Sequence, residues 1–429
     1  MKRLSNTIIL LLLTFTANAD TSIYILNNTE SEIDFNVIGL SSLINRKHTE
    51  PLQPYKQTYV AELSRYSGVK AGEVYDFYIF LGESHLSLAI KLEGTIWGSN
   101  ISYTFADPES LELDEYHTDR NIYAKFKGRY QYYLKASYTG GYDEITLVID
   151  EIKPLEAREP KTLNLVTYNV WMLSHVGKYM RERDTLIARS REINTHDVVF
   201  TQELFRYENV QNILWTMQQY FPFISNKLDG GGINTYDGGV LTFSKYPIVQ
   251  QAQHVFQNCK GTDCSADKGI LYTKIMKGDS PFHLFNVHLG AWNSQAYRNI
   301  RTLQVGEIFA FIDQLDLPNN EPVIIGGDFN IAKHKFPLDF EQMQRVLDLE
   351  EPTLEGSLEY SFDPYLNEHL SYSEESDRER LDYILYRNNG SISNSSSQII
   401  VPRNFQEDMW GVWDLSDHFA VSAQFTIAD

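Results

Sequence analysis

Hydrophobic and polar residues follow two different patterns along this chain, and the first covers residues 20–151. Short aromatic and β-branched runs, such as 75–81 and 131–136, are separated by turn residues, which is typical of β-strands. Residues 139–143 contain Gly140 and Gly141 and predict a hairpin turn before the next apolar run. No segment here has the 3.6-residue period of a helix, so we predict a β-rich domain built as a sandwich.

The second pattern begins after residues 152–161, which are charged, contain two prolines and predict a linker. From 162 to 429, apolar strands alternate with segments of helical period, which defines an α/β layered domain. The sequence predicts strands at 163–168, 197–200, 322–325, 381–385 and 419–423, a helix at 180–193, and two helices with the apolar stripes Val210, Ile213, Leu214, Met217 and Ile300, Leu303, Ile308, Ile312.

Residues 1–19 have the pattern of an export signal. Lys2 and Arg3 precede an apolar run at 8–13, and Ala17 and Ala19 provide small residues at the spacing of a cleavage site. A membrane anchor would need roughly 20 apolar residues to span the bilayer, and this run is much shorter. We therefore predict cleavage before Asp20 and a secreted mature protein.

The charge of the chain bears on its partners. It contains 37 Lys and Arg residues and 57 Asp and Glu residues, for a formal net charge of −20. Nucleic-acid binding draws much of its affinity from basic residues on phosphates, so we expect no nucleic-acid partner. The same balance disfavours adsorption driven by anionic lipid, although it leaves room for a local basic patch. No partner chain is indicated, and we expect a monomer.

The two cysteines of the chain, Cys259 and Cys264, lie close together. In an exported protein such a pair typically forms a local disulfide. A zinc site would need further thiol or imidazole ligands at matched spacing, and none flank the pair. We favour the disulfide.

Polar residues capable of chemistry follow several of the predicted strands. Ligand sites of layered sheets gather at strand ends, so these side chains could converge on one crevice. Taken singly, each has an ordinary interpretation as a turn or surface residue. The set consists of Asn169, Glu203, His288, Asp328, Asn330, Asp382, Asp417 and His418.

Taken together and in this order, these motifs resemble the endonuclease/exonuclease/phosphatase family, which is DNase I-like. The matching pieces are Tyr168-Asn169-Val170-Trp171, Gln202-Glu203, His288-Leu289, Gly327-Asp328-Phe329-Asn330, Leu381-Asp382-Tyr383 and Ser416-Asp417-His418. Residues 169–174, 237–240, 244–248 and 267–275 further resemble the bacterial neutral sphingomyelinases. The resemblance covers residues 163–426 and stops short of the β-rich domain. It implies a four-layer α/β-β-α sandwich.

The resemblance also implies a Mg²⁺-dependent phosphodiesterase that hydrolyses sphingomyelin to ceramide and phosphocholine. Mg²⁺ prefers hard oxygen ligands, and Glu203 with Asn169 would supply a carboxylate and an amide oxygen, with Mn²⁺ or Co²⁺ as substitutes. His418 is the candidate general base, because its ordinary pKa lies near working pH.

The other matched residues take supporting roles in this interpretation. Asp382 would fix the tautomer of His418, and Asp328 would orient the attacking water. Asn330 and His288 would donate hydrogen bonds to oxygens that gain charge in the transition state. Asp417 would support the metal or the imidazole.

The sequence departs from the family at a peripheral metal site. Some bacterial members have an Asn shortly after the catalytic Glu and a Glu-Asp pair before Gly-Gly-Val. Here Tyr207 and Tyr236 replace the Asn and the first acid, and only Asp237 remains. We predict that this second site is weak or absent.

Aromatic residues near the motifs bear on the substrate. Trp410 and Trp413 precede Asp417, and Trp292 follows His288. Tryptophans at a site mouth suit a lipid interface, whereas the alternative is that they pack in the core. A rim of aromatics on an acidic protein would favour a zwitterionic lipid headgroup and peripheral contact with the membrane.

Three other functions compete with a sphingomyelinase. A secreted nuclease would need a basic, salt-sensitive groove, which the composition does not indicate. An inositol-phosphate phosphatase would carry an Arg-rich signature that is not apparent. A catalytically inactive membrane-binding toxin would not need the complete set of acid, amide and imidazole groups. The β-rich domain offers no cluster of metal ligands, and we interpret it as an accessory domain, with lipid or receptor binding as the alternative.

Overall fold

The structure is a computed structural model, and it describes residues 21–39, 44–63, 74–81, 86–95, 98–106, 123–139, 142–153, 159, 161–231, 238–406 and 409–428. The predicted signal peptide, the two linker prolines, the Gly140-Gly141 turn, Tyr236 and Asp237 lie outside the described residues. The chain divides into two compact units, Met1–Lys153 and Pro154–Asp429, and the boundary falls inside the segment predicted as a linker. Among the described residues, none of the helices combines the length and apolar character needed to cross a bilayer.

The N-terminal unit is strand-rich in its described part, as predicted. One sheet has the strand order β3-β4-β1-β10-β9-β8 and the other has the order β2-β5-β6-β7. The predicted hairpin joins β9 to β10, with Thr139 opposite Tyr142. The strands are β1 (Thr21–Asn28), β2 (Phe35–Gly39), β3 (Ile44–Lys47), β4 (Gln57–Leu63), β5 (Val74–Leu81), β6 (Leu86–Thr95), β7 (Gly98–Ala106), β8 (Tyr123–Lys127), β9 (Tyr130–Thr139) and β10 (Tyr142–Glu151).

The C-terminal unit mixes strands and helices. Its strands are β11 (Thr162–Asn169), β12 (Val198–Gln202), β13 (Phe223–Ile224), β14 (Leu241–Ser244), β15 (Ile248–Val255), β16 (Gly269–Lys277), β17 (Ser280–His288), β18 (Val323–Asp328), β19 (Thr353–Glu355), β20 (Asp382–Tyr386), β21 (Ile392–Ile400) and β22 (Ala420–Ile427). Its α-helices are α1 (Met180–Arg189), α2 (Arg191–Asn194), α3 (Tyr207–Met217), α4 (Gln295–Gln314) and α5 (Pro337–Leu347).

These elements form four layers. A seven-stranded sheet has the order β13-β14-β12-β11-β22-β21-β19 and faces a five-stranded sheet with the order β15-β16-β17-β18-β20. Helices α1 and α3 cover the outer face of the first sheet, and α4 and α5 cover the second. Central strands β12 and β18 are buried at every position because both of their faces are covered. The predicted four-layer sandwich is confirmed.

Two helix predictions need correction. The helix predicted at 180–193 is interrupted at Ser190, whose backbone is extended and whose hydroxyl bonds Glu192 instead. Serine competes for backbone and local partners in this way and favours helix ends. The apolar stripe predicted on α4 is also wrong at one position, because Leu303 is 51% exposed whereas Val305 is buried.

A buried polar network joins the two sheets beneath the strand ends. Gln202 Nε2 donates to Asn286 Oδ1 at 2.7 Å and to Thr167 Oγ1 at 2.9 Å, and Asn286 Nδ2 donates to the Leu241 carbonyl at 2.7 Å. Polar groups are costly to bury unless they are paired, so these hydrogen bonds fix the position of one sheet relative to the other. Gln202 precedes Glu203, and Asn286 lies two residues before His288, so this network also places those two side chains.

Candidate active site

Strand register places three predicted residues side by side in the five-stranded sheet. His288 ends β17 opposite Asp328 at the end of β18, and Asp328 lies opposite Asp382 at the start of β20. Residues directly opposite each other on neighbouring strands point to the same face of a sheet. The three side chains are essentially buried, at 0%, 1% and 0% exposure. Asp328 in this row bonds Asn169 of the seven-stranded sheet, so the row faces that sheet rather than the helices.

The seven-stranded sheet contributes Asn169 from the end of β11. Its amide nitrogen donates to Asp328 Oδ2 at 3.1 Å, and its amide oxygen accepts from the backbone N–H of Trp171 at 3.1 Å. Its backbone carbonyl accepts from Ser416 Oγ at 2.6 Å. Asn169 thus lies at the junction of the two sheets, in contact with the acid that sequence predicts to orient water.

Glu203 enters the same space from β12 on a strained backbone. Its φ of 57° is in the left-handed region, which costs a non-glycine residue of order 1–3 kcal/mol and is typical of functional sites. Close approach of Gly239 accompanies this turn, since a Cβ there would lie 2.6 Å from the Leu204 nitrogen and 2.9 Å from Glu203 Cα. Glu203 Oε1 lies 3.8 Å from His288 Nε2.

The His288 ring is held between two carboxylates without a hydrogen bond. Its Nε2 lies 3.8 Å from Glu203 Oε1 and 3.7 Å from Asp328 Oδ2, and neither ring nitrogen has a partner among the described residues. Burial, followed by the positive charges of Lys268 and His418, holds the pKa of His288 well below its ordinary value. A neutral imidazole with unpaired buried nitrogens is a place where a bound group is expected.

His418 and Asp382 form a buried pair. His418 Nδ1 lies 2.8 Å from Asp382 Oδ2, which leaves Nε2 as the nitrogen available for proton transfer. Burial acts to lower the pKa of His418, but the charge and hydrogen bond of Asp382, with the charges of Asp328 and Asp417, outweigh it and raise that pKa well above its usual value. The edge of Phe362 packs against the ring at 5.5 Å between centroids.

Two further carboxyl groups in the site have raised pKa values. Burial is the main cause for both and raises the pKa of Asp328 to about 7 and that of Asp417 to about 7. Nearby acids add to the effect, Asp382 for the first and Glu203 for the second. Acids that titrate near working pH are characteristic of catalytic sites. Asn330 completes the predicted set, with its backbone N–H bonded to Asp328 Oδ1 at 2.9 Å and its amide to the Leu289 carbonyl at 3.1 Å.

Sequence reasoning missed the residues that hold the His418–Asp382 pair. Ser361 Oγ accepts from the backbone N–H groups of Leu381 and Asp382 at 3.0 and 3.1 Å, and the Ser361 carbonyl accepts from Phe419 N–H at 2.6 Å. One serine therefore contacts both sides of the pair. An isolated serine in a loop has no sequence signature, so only its position in the fold identifies it.

The loop after His288 is held by two side chains, Arg301 and Asp263. Arg301 on α4 is buried and donates to the carbonyls of Gly290, Ala291 and Trp292. Asp263 accepts from Ala291 N–H at 2.8 Å and pairs with Lys268 at 3.1 Å. Asp263 itself lies within the loop closed by Cys259 and Cys264, whose sulfur atoms are 2.06 Å apart. The predicted disulfide is therefore present, next to the site.

The predicted aromatic rim is only partly at the surface. Trp292 is 61% exposed and Trp410 is half-buried, but Trp413 is 3% exposed. The prediction for Trp413 is wrong in this structure. Trp413 directly precedes Asp414, which forms a buried ion pair with Arg403 at 2.7 Å. This ion pair keeps the segment in the interior, where the Trp413 ring packs against Phe405 and Trp410.

The residues present fit a divalent metal ion. One donor atom each of Glu203, His288 and Asp328 lies within 4.8 Å of the others, and Asp382 Oδ1 is buried without a hydrogen-bond partner among the residues that the structure describes. Carboxylate and amide oxygens are the hard ligands that Mg²⁺ takes in proteins. Tyr207, which stands where a peripheral ligand would be, is 75% exposed.

The fold and this site define a class of hydrolase. Residues 166–418, more than half of the chain, match the model of the Endonuclease/Exonuclease/phosphatase family. The chain belongs to this family, and within it to the branch of the bacterial sphingomyelinases, as the residue pattern predicts. It is a phosphoric diester hydrolase.

Particular relatives are similar over most of their own length. The chain is 30% identical over 301 residues to a sphingomyelinase C of Bacillus cereus, covering 62% of this chain and 89% of the relative. It is 32% identical over 260 residues to a phospholipase C of Staphylococcus aureus, covering 56% and 77%. A solved variant of Staphylococcus aureus beta toxin with bound magnesium ions aligns with a TM-score of 0.56, 28% identity, and coverage of 61% of this chain and 98% of that one.

Proposed function

We propose that this protein is a secreted, Mg²⁺-dependent phosphodiesterase that hydrolyses sphingomyelin to ceramide and phosphocholine. The observation that carries the proposal is the convergence of Asn169, Glu203, His288, Asp328 and the His418–Asp382 pair at one edge of the two facing sheets. The named relatives, which include a sphingomyelinase C and a phospholipase C, support the substrate class.

Glu203 and Asn169 would hold the metal ion, with Asp328 and His288 at the border of the same space. The amide oxygen of Asn169 accepts one backbone N–H and retains a second lone pair for the ion. When bound, the ion supplies positive charge to the phosphoryl oxygens and to the departing oxygen. The unpaired nitrogens of His288 and the strained backbone of Glu203 support this assignment.

His418 accepts the proton of the attacking water through Nε2. Asp382 holds the other nitrogen, which fixes the tautomer and stabilises the imidazolium that forms. The carboxylates that raise the pKa of His418 are the groups whose charge a cation in the site would offset. The neutral, proton-accepting form of His418 therefore becomes more populated at a given pH when the site is loaded.

Asp328 and Asn330 position the water and the phosphoryl group. The carboxyl of Asp328 is fixed by Asn169 and by the Asn330 backbone, so little reorganisation is needed when charge develops. Asn330 has a left-handed φ of 51°, and its amide nitrogen is held by the Leu289 carbonyl next to His288. His288, kept neutral by burial, offers a ring N–H to a developing negative oxygen.

Membrane contact and export complete the proposal. Trp292 presents an exposed aromatic ring three residues beyond Leu289, and an aromatic ring suits the lipid interface better than a basic patch would on a chain of net charge −20. Residues 1–19 have the pattern of an export signal, and the Cys259–Cys264 disulfide is typical of oxidising compartments.

The experiment offers sphingomyelin, phosphatidylcholine and DNA in parallel to the wild type and to His418→Ala, with Mg²⁺ or with chelator. We expect ceramide release from sphingomyelin by the wild type with Mg²⁺, and a loss of at least roughly 100-fold in the variant, the range that general base catalysis contributes. Ceramide release that survives both chelation and the substitution would refute the mechanism. Cleavage of DNA alone would reassign the protein as a nuclease.

A further inference from the structure

Arg183 on α1 is the largest fully buried side chain among those described, with 0% exposure. Within the described part of the chain it forms no ion pair. Its guanidinium instead donates to four backbone carbonyls, those of Lys178, Val170, Trp171 and Leu415, at 2.8, 2.9, 2.9 and 2.6 Å. Four of its five N–H groups therefore bond backbone carbonyls.

The four carbonyls belong to two segments that carry site residues. Val170 and Trp171 come directly after Asn169 at the exit of β11, and Lys178 closes the same loop. Leu415 lies two residues before Asp417, on the segment that leads to His418. One side chain thus connects the loop that follows the proposed metal ligand to the segment that carries the proposed base.

A second, weaker connection runs beside it. Ser416 Oγ donates to the Asn169 carbonyl at 2.6 Å. Trp171 has a left-handed φ of 50°, and its ring lies 5.3 Å from the guanidinium carbon of Arg183. Arg183 therefore holds the strained turn after Asn169 in two ways. Its guanidinium packs against the Trp171 ring, and it donates hydrogen bonds to the carbonyls of Val170 and Trp171.

The chemistry of arginine explains why this position is not filled by an apolar residue. Burial of a cation without a counterion is costly, and burial lowers the pKa of Arg183 to about 10. A leucine or methionine would pack the same space without that cost. The planar fork of a guanidinium can reach several carbonyls at once, whereas a lysine ammonium presents its donors from one point.

We propose that Arg183 is a positioning residue that sets the separation between the Asn169 side and the Asp417–His418 side of the active site. The inference rests on the proposed function only where activity on sphingomyelin is measured. A small displacement of a catalytic group lowers the reaction rate strongly, since misplacement by about 1 Å can reduce a rate roughly 100-fold.

The test compares Arg183→Lys with two variants on the same helix. Arg189→Lys makes the same change at an exposed position, and Ile187→Ala removes core packing from a side chain that is 2% exposed. Each full-length protein is assayed for kcat and KM on sphingomyelin micelles, for Mg²⁺ affinity by calorimetry, and for backbone hydrogen exchange at residues 170–178 and 413–418.

We expect Arg183→Lys to lower kcat roughly 100-fold with KM changed by less than about 3-fold, to weaken Mg²⁺ binding, and to speed exchange in both segments. Arg189→Lys should match the wild type in all readouts. Ile187→Ala should lower the denaturation midpoint while the folded molecules keep their kcat.

An Arg183→Lys protein that is folded, with unchanged kcat and unchanged exchange in both segments, would overturn the inference. So would a loss of activity in Arg183→Lys that only parallels its loss of folded protein, as in Ile187→Ala. If Arg183→Lys does not fold, Ser416→Ala removes the parallel bond to Asn169 and should lower kcat and speed exchange in the same two segments; no change there would also overturn it. A wild type that releases no ceramide would refute the proposed function, while exchange and Mg²⁺ binding still decide the role of Arg183.

Discussion

At the scale of single residues, the site depends on where charge is buried. His418 carries a raised pKa because buried carboxylates surround it, whereas His288, in the same candidate site, carries a lowered pKa because burial dominates and positive charges lie nearby. Under the proposed mechanism, this difference would make His418 a proton carrier and His288 a neutral hydrogen-bond donor. The same residue type takes two roles because the neighbouring charges differ.

Asp382→Asn tests this division. The substitution removes the negative charge 2.8 Å from His418 Nδ1 and so lowers the pKa of His418, which makes the neutral base available at lower pH. We expect the acidic limb of the kcat/KM profile to shift to lower pH and kcat to fall roughly 100-fold because the tautomer is no longer fixed. Asp313→Asn, at an exposed position of α4, is the matched control. An acidic limb that stays in place or moves to higher pH would contradict the assignment.

The tryptophans give a second prediction at this scale, because Trp292 is 61% exposed and Trp413 is 3% exposed. Trp292→Ala should change the free energy of unfolding by less than about 0.5 kcal/mol. It should also reduce the fraction of protein that sediments with sphingomyelin–phosphatidylcholine vesicles. Trp413→Ala should cost about 3–5 kcal/mol through the cavity it leaves. Vesicle binding by Trp292→Ala equal to that of the wild type would exclude this ring as a membrane contact.

At the scale of elements, strand register brings together side chains that belong to different sequence motifs. His288, Asp328 and Asp382 are 40 or more positions apart in the chain but lie opposite one another on β17, β18 and β20. A register shift of one residue would turn a side chain to the other face of its sheet. The buried pair Gln202 and Asn286 opposes such a shift, because the shift would break their hydrogen bonds and leave buried polar groups unpaired.

The disulfide loop gives a prediction for the element that follows β17. Replacing both Cys259 and Cys264 by Ser should lower the free energy of unfolding by about 2 kcal/mol, the amount expected for a short closed loop. Asp263 within the loop accepts from Ala291 N–H, so hydrogen exchange at residues 289–292 should also become faster. Asp263→Asn, which keeps the disulfide but weakens the pair with Lys268, separates the two contributions. Exchange at 289–292 that is unaffected by loss of the disulfide would contradict the coupling.

At the scale of the whole molecule, the catalytic unit consists of two facing sheets, each covered by its own helices, and the carboxyl groups of Asp328, Asp382 and Asp417 are buried within it. We expect calorimetry to find one tight Mg²⁺ site and a second that is weak or absent, since Tyr207 supplies no carboxylate or amide. Glu203→Gln should abolish the tight site. Binding should stabilise the protein by about 2.7 kcal/mol at a free ion concentration 100-fold above its dissociation constant. Two tight, carboxylate-held ions would refute the prediction.

The amino-acid sequence was enough to predict the kinds of elements, the change from strand-rich to α/β organisation and the polar residues at strand ends. This was possible because hydrophobic period and turn residues are local properties, and because motifs such as Gly327-Asp328-Phe329-Asn330 keep their order along the chain. The sequence also predicted the disulfide, because a close cysteine pair has few other uses in an exported protein.

Burial and contacts between distant segments became visible only in the folded chain. Trp413 is drawn inward by the Arg403–Asp414 ion pair, Leu303 points outward on α4, and Ser361 and Arg183 hold segments that lie far from them in the chain. These facts depend on contacts between residues distant in sequence, which no local period or spacing encodes. The pKa values of His288 and His418 depend on the same packing, because burial and the positions of neighbouring charges set them.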